Sequence, residues 1–100
     1  MSAHIQIDRY VLATLMRDLV GHDHRPSAFL VYLALLDVAA SGRALSHAQM
    51  AEQTGLSKRA VQDAIGHLAK RELVTIQRGG RAEPAVVRPL SPWRSRANAD

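Results

Sequence analysis

From Arg9 to Arg71 apolar side chains return every three to four positions, and beyond Glu72 the pattern changes to short alternating runs broken by glycine. The first spacing is that of helices with one face turned inward, and the second is that of strands. Ile5 and Ile7 alternate with His4 and Gln6 as a short extended lead-in, and Asp8 suits an N-cap. A first amphipathic helix is predicted over 8–20, with Val11, Leu12, Leu15, Met16, Leu19 and Val20 on its apolar side. The run from Gly21 to Pro26 breaks it, because glycine ends helices and proline pushes its predecessor out of helical geometry. A second helix follows over 27–40 and is apolar almost all round, so it belongs at the centre.

Two more helical patterns meet in Ser46 to Arg71 across the break Thr54-Gly55-Leu56-Ser57. Ser46 with Gln49 three residues on predicts a capping box, Gly55 supplies positive φ, Leu56 plugs the angle, and Ser57 caps the helix that runs over 58–71. This is the sequence form of a helix-turn-helix over 46–71. On the second of its helices Ala60, Val61, Ala64, Ile65 and Leu68 make the inward stripe. Gly66 inside that helix costs about 1 kcal/mol relative to alanine, so it marks a close approach of backbone to another helix or to a partner. Residues 73–78 and 85–90 alternate as strands around a glycine-rich tip, giving a hairpin over 73–90. The expected class is mainly α with a small β-hairpin, ordered α-α-α-α-β-β, in one domain over 1–92. Residues 93–100 are expected as a flexible tail, with Trp93 itself turned back onto the domain.

Charge adds direction to this outline. Residues 1–56 hold four Arg against four Asp and one Glu, net −1, whereas residues 57–100 hold nine Lys and Arg against four acids, net +5. A basic half that begins at the last motif helix is what phosphate binding requires, although a solvated basic face has the same composition. No cysteine is present, the N-terminus does not read as a signal peptide, and the longest apolar run is too short to span a bilayer. A soluble, cytoplasmic protein is expected. No nucleophile elbow and no phosphate-binding glycine loop occurs, so catalysis and a cofactor are not expected. His22-Asp23-His24 has metal-ligand chemistry but no further ligands placed near it, and reads as loop polars.

The segment Leu56-Ser57-Lys58-Arg59-Ala60-Val61-Gln62-Asp63-Ala64-Ile65, with Leu68 and Leu73-Val74, resembles the helix-turn-helix of bacterial winged-helix transcription regulators of the MarR and GntR groups. The likeness extends from about Pro26 to Pro89. It departs where those families carry glycine after the recognition helix and this chain has Glu72. The resemblance implies a winged helix-turn-helix that binds double-stranded DNA, with helix 58–71 in the major groove and wing 78–84 on the minor groove or backbone. Ser57, Lys58, Arg59, Gln62, Asp63, His67 and Lys70 on the helix, with Arg78 and Arg81 on the wing, are then the contact candidates. Arginine reads guanine, glutamine reads adenine, and lysine and serine hold phosphate. Asp63 suits a helix pairing partner as well as a DNA contact. A small reading head ordinarily works as a pair, so a homodimer through Val11, Leu15, Leu19 or their neighbours is expected. A small-molecule effector is left unspecified. The competing readings are a winged-helix adaptor that docks a protein without binding DNA, and a replication or plasmid-maintenance module.

Overall fold

The computed structural model describes residues 3–80 and 85–94. It is mainly helical and carries a two-stranded antiparallel hairpin. After an N-terminal helical segment come α1 (Pro26–Ser41), α2 (His47–Thr54) and α3 (Lys58–Lys70), then β1 (Val74–Gln77) and β2 (Val86–Pro89).

The N-terminal segment differs most from expectation. It is helical over 9–22, and most of it is π-helix, in Val11–Leu15 and Arg17–His22. The Met16 N–H reaches back to the Val11 carbonyl, and the Asp23 N–H to the Asp18 carbonyl at 2.9 Å. Its buried side chains, Val11, Leu15 and Leu19, are spaced four apart, which lies between the α period of about 3.6 and the wider π coil. Apolar spacing alone therefore did not separate the two. Gly21 stays inside the helix, since packing of Leu19 outweighs the weak propensity of one glycine. The break falls instead at His24, whose φ is +56°, and Arg25 N–H closes the end on the Leu19 carbonyl at 2.8 Å.

Pro26 opens α1 at the position where its missing N–H is harmless, and Gly42 closes it with φ of +72°. Ala28, Val31, Tyr32 and Leu35 are buried, and α1 packs on the N-terminal segment, α2, α3 and β2. It is the central helix that its apolar surface predicts. Tyr32 is wholly enclosed and donates its hydroxyl to the Leu90 carbonyl at 2.7 Å, and this burial pushes its pKa up. The centre of the core is thereby tied to the end of the hairpin.

The link from α2 to α3 follows its local signals. Ser46 Oγ accepts the Gln49 N–H at 3.1 Å while Gln49 Oε1 accepts the Ser46 N–H at 2.9 Å, a full capping box. Gly55 takes φ of +80°, the part-buried Leu56 packs onto the core, and Ser57 Oγ accepts the Ala60 N–H at 3.0 Å. Val61, Ala64, Ile65 and Leu68 then face inward from α3. At its far end Leu73 N–H bonds to the Leu68 carbonyl at 2.9 Å and Glu72 N–H to the Ala69 carbonyl at 3.0 Å. This is a Schellman closure with Glu72 in the left-handed position, φ +59°. The chain keeps the turn that a glycine normally makes and places a glutamate in it.

In the hairpin Val74 pairs with Pro89, Thr75 with Arg88, Ile76 with Val87 and Gln77 with Val86. The chain then returns to its start. Trp93 stacks on Tyr10 with ring centres 4.5 Å apart and donates Nε1–H to Asp8 Oδ2 at 2.9 Å. Arg94 adds Nε and Nη2 bonds to the same carboxylate at 2.6 and 2.7 Å. Trp93 thus folds back as expected, and Arg94 is held beside it. Asp8 does not serve the first helix as a side-chain cap; the Arg94 and Trp93 donors hold its carboxyl down at about 2. Among the described residues no helix is long and apolar enough to cross a membrane.

Candidate nucleic-acid interface

Three elements converge on one side of the molecule: the start of α2, the start of α3, and the inner part of the hairpin. Between them lies a depression of about 290 Å³ bordered by Leu45, Ser46, Lys58, Gln62, Ala85 and Val87. Two helix N-termini open beside it, each with the partial positive charge of its free amides. Ser57, Lys58, Arg59, Gln62 and Asp63 are all exposed along the first turns of α3. The local cause is the amphipathic pattern: burying Val61, Ala64 and Ile65 forces the residues between them outward.

The candidates are not equivalent. Ser57 uses its oxygen as the acceptor that caps α3, which leaves its hydroxyl proton for an incoming acceptor. Lys58 and Gln62 share the depression with the hairpin. Arg59 does not border it and meets Asp63 one turn on, Nε to Oδ2 at 3.7 Å, with both side chains mostly in solvent. Such an exposed pair contributes about 0.3–0.5 kcal/mol, so a stronger anion can replace the aspartate. Asp63 therefore takes the helix-pairing role that its spacing allows. Lys70 is exposed on the last turn of α3, and Arg78 is exposed beyond β1. Arg81 lies outside the described residues.

His67 is corrected. It points away from that surface, only 18% of its side chain is exposed, and Nε2 sits 2.8 Å from Asp23 Oδ2. Asp23 also receives His22 Nδ1 at 2.8 Å and Arg71 Nε at 3.1 Å, and Arg71 reaches on to Asp18. The hydrogen bond from His22, joined by those from His67 and the Arg71 charge, holds the Asp23 carboxyl below its usual range against the effect of burial. This knot fastens the C-terminal end of α3 to the N-terminal segment, so that the two ends of α3 have different tasks. Donor atoms of Asp18, His22 and Asp23 lie within 4.8 Å of one another. The Arg71 guanidinium already bridges the two carboxylates, supplying the positive charge that a cation would bring.

Gly66 lies on the exposed side of α3, seven residues after Arg59 and four before Lys70, and a Cβ built on it meets nothing within 4 Å. Of the two reasons for a glycine there, that open space speaks against contact with another helix among the described residues. Val11, Leu15 and Leu19, expected at an interface between copies, are at most 3% exposed and belong to the chain's own core. The neighbouring stripe Leu12, Met16 and Val20 is the exposed one, at 53%, 41% and 37%.

Two cations escaped the sequence reading. Arg88 lies opposite Thr75 on the exposed face of β2, a placement that the alternation Val87-Arg88 does encode. Arg43, on the connection between α1 and α2, carries no periodic signal.

No family model matches this chain, and neither the curated proteins nor the solved structures compared with it include a match.

Proposed function

We propose that this chain is a winged helix-turn-helix module that binds double-stranded DNA and acts as a small transcription regulator. The observation that carries the reading is the exposed start of α3, where Ser57, Lys58, Arg59 and Gln62 stand beside two helix N-termini and a hairpin. With α3 in the major groove, Arg59 and Gln62 read base edges while Lys58, Ser57 and the α3 amides hold phosphate. The hairpin serves as the wing, with Arg78 and Arg81 toward the adjacent minor groove or backbone. His67 is not part of the reading surface, and Lys70 meets phosphate at its margin.

Fluorescence polarisation on a mixed-sequence duplex at two salt concentrations tests this directly. Binding that weakens steeply with salt is expected, because each neutralised phosphate releases counterions. Arg59→Ala is expected to cost about 1–3 kcal/mol on a selected site and to relax preference at one base pair, whereas Lys58→Ala weakens all sequences alike. Absence of salt-sensitive binding even near ~50 mM salt rejects the DNA reading and leaves a protein-docking adaptor in its place. A replication or plasmid-maintenance role shares the interface and differs only in which duplex is selected.

The functional form we propose is a homodimer joined through the exposed stripe Leu12, Met16 and Val20. These three side chains follow one another at four-residue spacing on one helix, while the adjacent stripe is spent in the core. Two heads spaced about one turn of DNA, roughly 34 Å, supply the specificity that one head lacks. Sedimentation at micromolar concentration should show a dimer that Met16→Glu converts to monomer. A wild-type monomer whose duplex affinity does not rise with concentration overturns this arrangement.

A further inference from the structure

The sheet has two strands among the described residues, so β2 keeps one edge away from β1. What that edge offers follows from the register and one bond. Leu90 N–H donates to the Leu73 carbonyl at 2.8 Å, and Val74 stands opposite Pro89. Bonded pairs alternate along an antiparallel ladder, so Val86 and Arg88 turn their backbone groups toward β1 while Val87 and Pro89 turn theirs outward. Proline has no N–H, which leaves the Val87 N–H and the Val87 and Pro89 carbonyls on the outer edge. Among the described residues no backbone group pairs with any of the three.

That edge opens onto a cleft of about 410 Å³ between β2, the end of α1 and the connection from α1 to α2, and no residue of β1 lines it. Leu35, Val38, Leu45 and Val87 make its apolar floor, and the charged residues on it are Arg43 and Arg88, with no acid among the lining residues. Arg43 is tethered through Nε to Ser41 Oγ at 3.2 Å, and neither arginine has an acidic partner among the described residues. A bare strand edge therefore borders a cationic groove with an apolar floor.

These features select the occupant together. The arginines favour an anion, but the outward carbonyls repel phosphate and accept the N–H groups of an extended peptide, which pairs with such an edge as an added strand. Alternate side chains of that strand point to opposite faces. We infer that the outer edge of β2 is a docking site for an extended segment of a partner protein in which acidic and apolar residues alternate. Its apolar side chains lie over Leu45 and Val87, its acidic ones meet Arg88 and, across the cleft, Arg43, and its backbone pairs with Val87.

The probe is a six-residue peptide of alternating glutamate and valine, capped at both ends, with a second peptide in which glutamine replaces every glutamate. Each is titrated into the full chain and followed by amide chemical shifts and by amide hydrogen exchange. Saturable binding of the glutamate peptide is expected, with shifts at Leu45, Val87 and Arg88 and slowed exchange of the Val87 N–H, the one outward amide of β2. The glutamine peptide should bind roughly tenfold more weakly, and Arg43→Gln and Arg88→Gln should each weaken the glutamate peptide roughly two- to fivefold. Both positions are exposed, so the core is left intact, and circular dichroism verifies that. Lack of saturation overturns the inference, as do equal affinities for the two peptides. Binding that leaves Val87 exchange unchanged overturns it as well, because no strand has then been added. A separate titration with mixed-sequence duplex covers the other polymer: protection of Val87 by duplex and not by peptide would make the cleft a nucleic-acid surface and overturn the inference. The peptide arms contain no DNA, so their outcome is separate from that of the proposed function.

Discussion

Among the described residues, Glu72 holds the one backbone conformation that conflicts with both its side chain and its charge. With φ of +59° it occupies the left-handed position of the Schellman closure between α3 and β1. A residue with a Cβ pays about 1–2 kcal/mol there, which glycine does not. Glycine returns about 0.4–1 kcal/mol of that through the greater freedom of the unfolded chain. The carboxylate also sits at the negative end of α3, where an exposed anion costs about 0.3–1 kcal/mol. Its side chain is exposed and enters no ion pair among the described residues, so its removal forfeits little. Glu72→Gly should therefore stabilise the fold by about 1 kcal/mol, equivalent to some 4–8 °C in Tm for a domain of this size. Glu72→Ala removes the charge but keeps the Cβ, so it should recover only the charge contribution of about 0.3–1 kcal/mol, and its difference from the glycine variant is the backbone contribution. Urea unfolding, read by circular dichroism and by Trp93 fluorescence, measures all three proteins. A glycine variant no more stable than the alanine variant would refute the account of strain at this turn.

Other perturbations address the surface and the two closures. Gly66→Ala should stabilise α3 by about 1 kcal/mol in denaturant melts, since the added methyl enters open space, while duplex affinity falls; a gain in stability with unchanged binding would show that no partner approaches that backbone. Asp8 has its pKa lowered to about 2, so its bonds to Trp93 and Arg94 contribute stability above the unfolded value of 3.8 and lose it as pH falls through about 2. Trp93 fluorescence during acid titration follows that loss, and Asp8→Asn should abolish its dependence on pH in this window. Asp23→Ala strips Arg71 and His67 of their shared acceptor and should cost about 1–2 kcal/mol in urea melts, with the His67 ring resonances moving more than those of Lys58 or Gln62.

What was legible in the sequence was local. The capping box at Ser46, the turn at Gly55, the cap at Ser57 and the hairpin all follow from residues within a few positions of one another. The inward stripe of α3 and the central place of α1 follow from periodicity for the same reason. What escaped were contacts across the fold. Asp8 meets Arg94 and Asp23 meets His67 through carboxylates far away in the chain, and no spacing rule pairs them. The π-helical coil escaped because four-residue spacing fits two helical periods, and only packing chooses between them. Helical spacing puts His67 off the inward stripe of α3, yet the Asp23 carboxylate, distant in the chain, captures it.

These long-range contacts bear on how the proposed reading helix is held. The His67 and Arg71 end of α3 is tied to Asp23 and Asp18, and the Leu68 and Ile65 turns are buried in the core. Among the described residues the start of α3 has no equivalent knot: its cap is its own Ser57, and Arg59 makes the exposed pairing with Asp63. A helix fixed at its C-terminal end and presented at its N-terminal end can enter a groove without losing a buried contact. It also offers its positive pole to phosphate. The nine positions that the resemblance suggested thus divide by cost. Lys58, Gln62 and Arg59 can engage a duplex for the loss of one weak ion pair, whereas recruiting His67 means breaking the fastening that positions the helix. Contacts with DNA should accordingly concentrate within the first two turns of α3 and on the hairpin. Alanine substitutions at Lys58, Arg59 and Gln62 should lower duplex affinity without changing the unfolding midpoint, while His67→Ala should lower the midpoint first. The reverse order would mean that the helix is read from its other end.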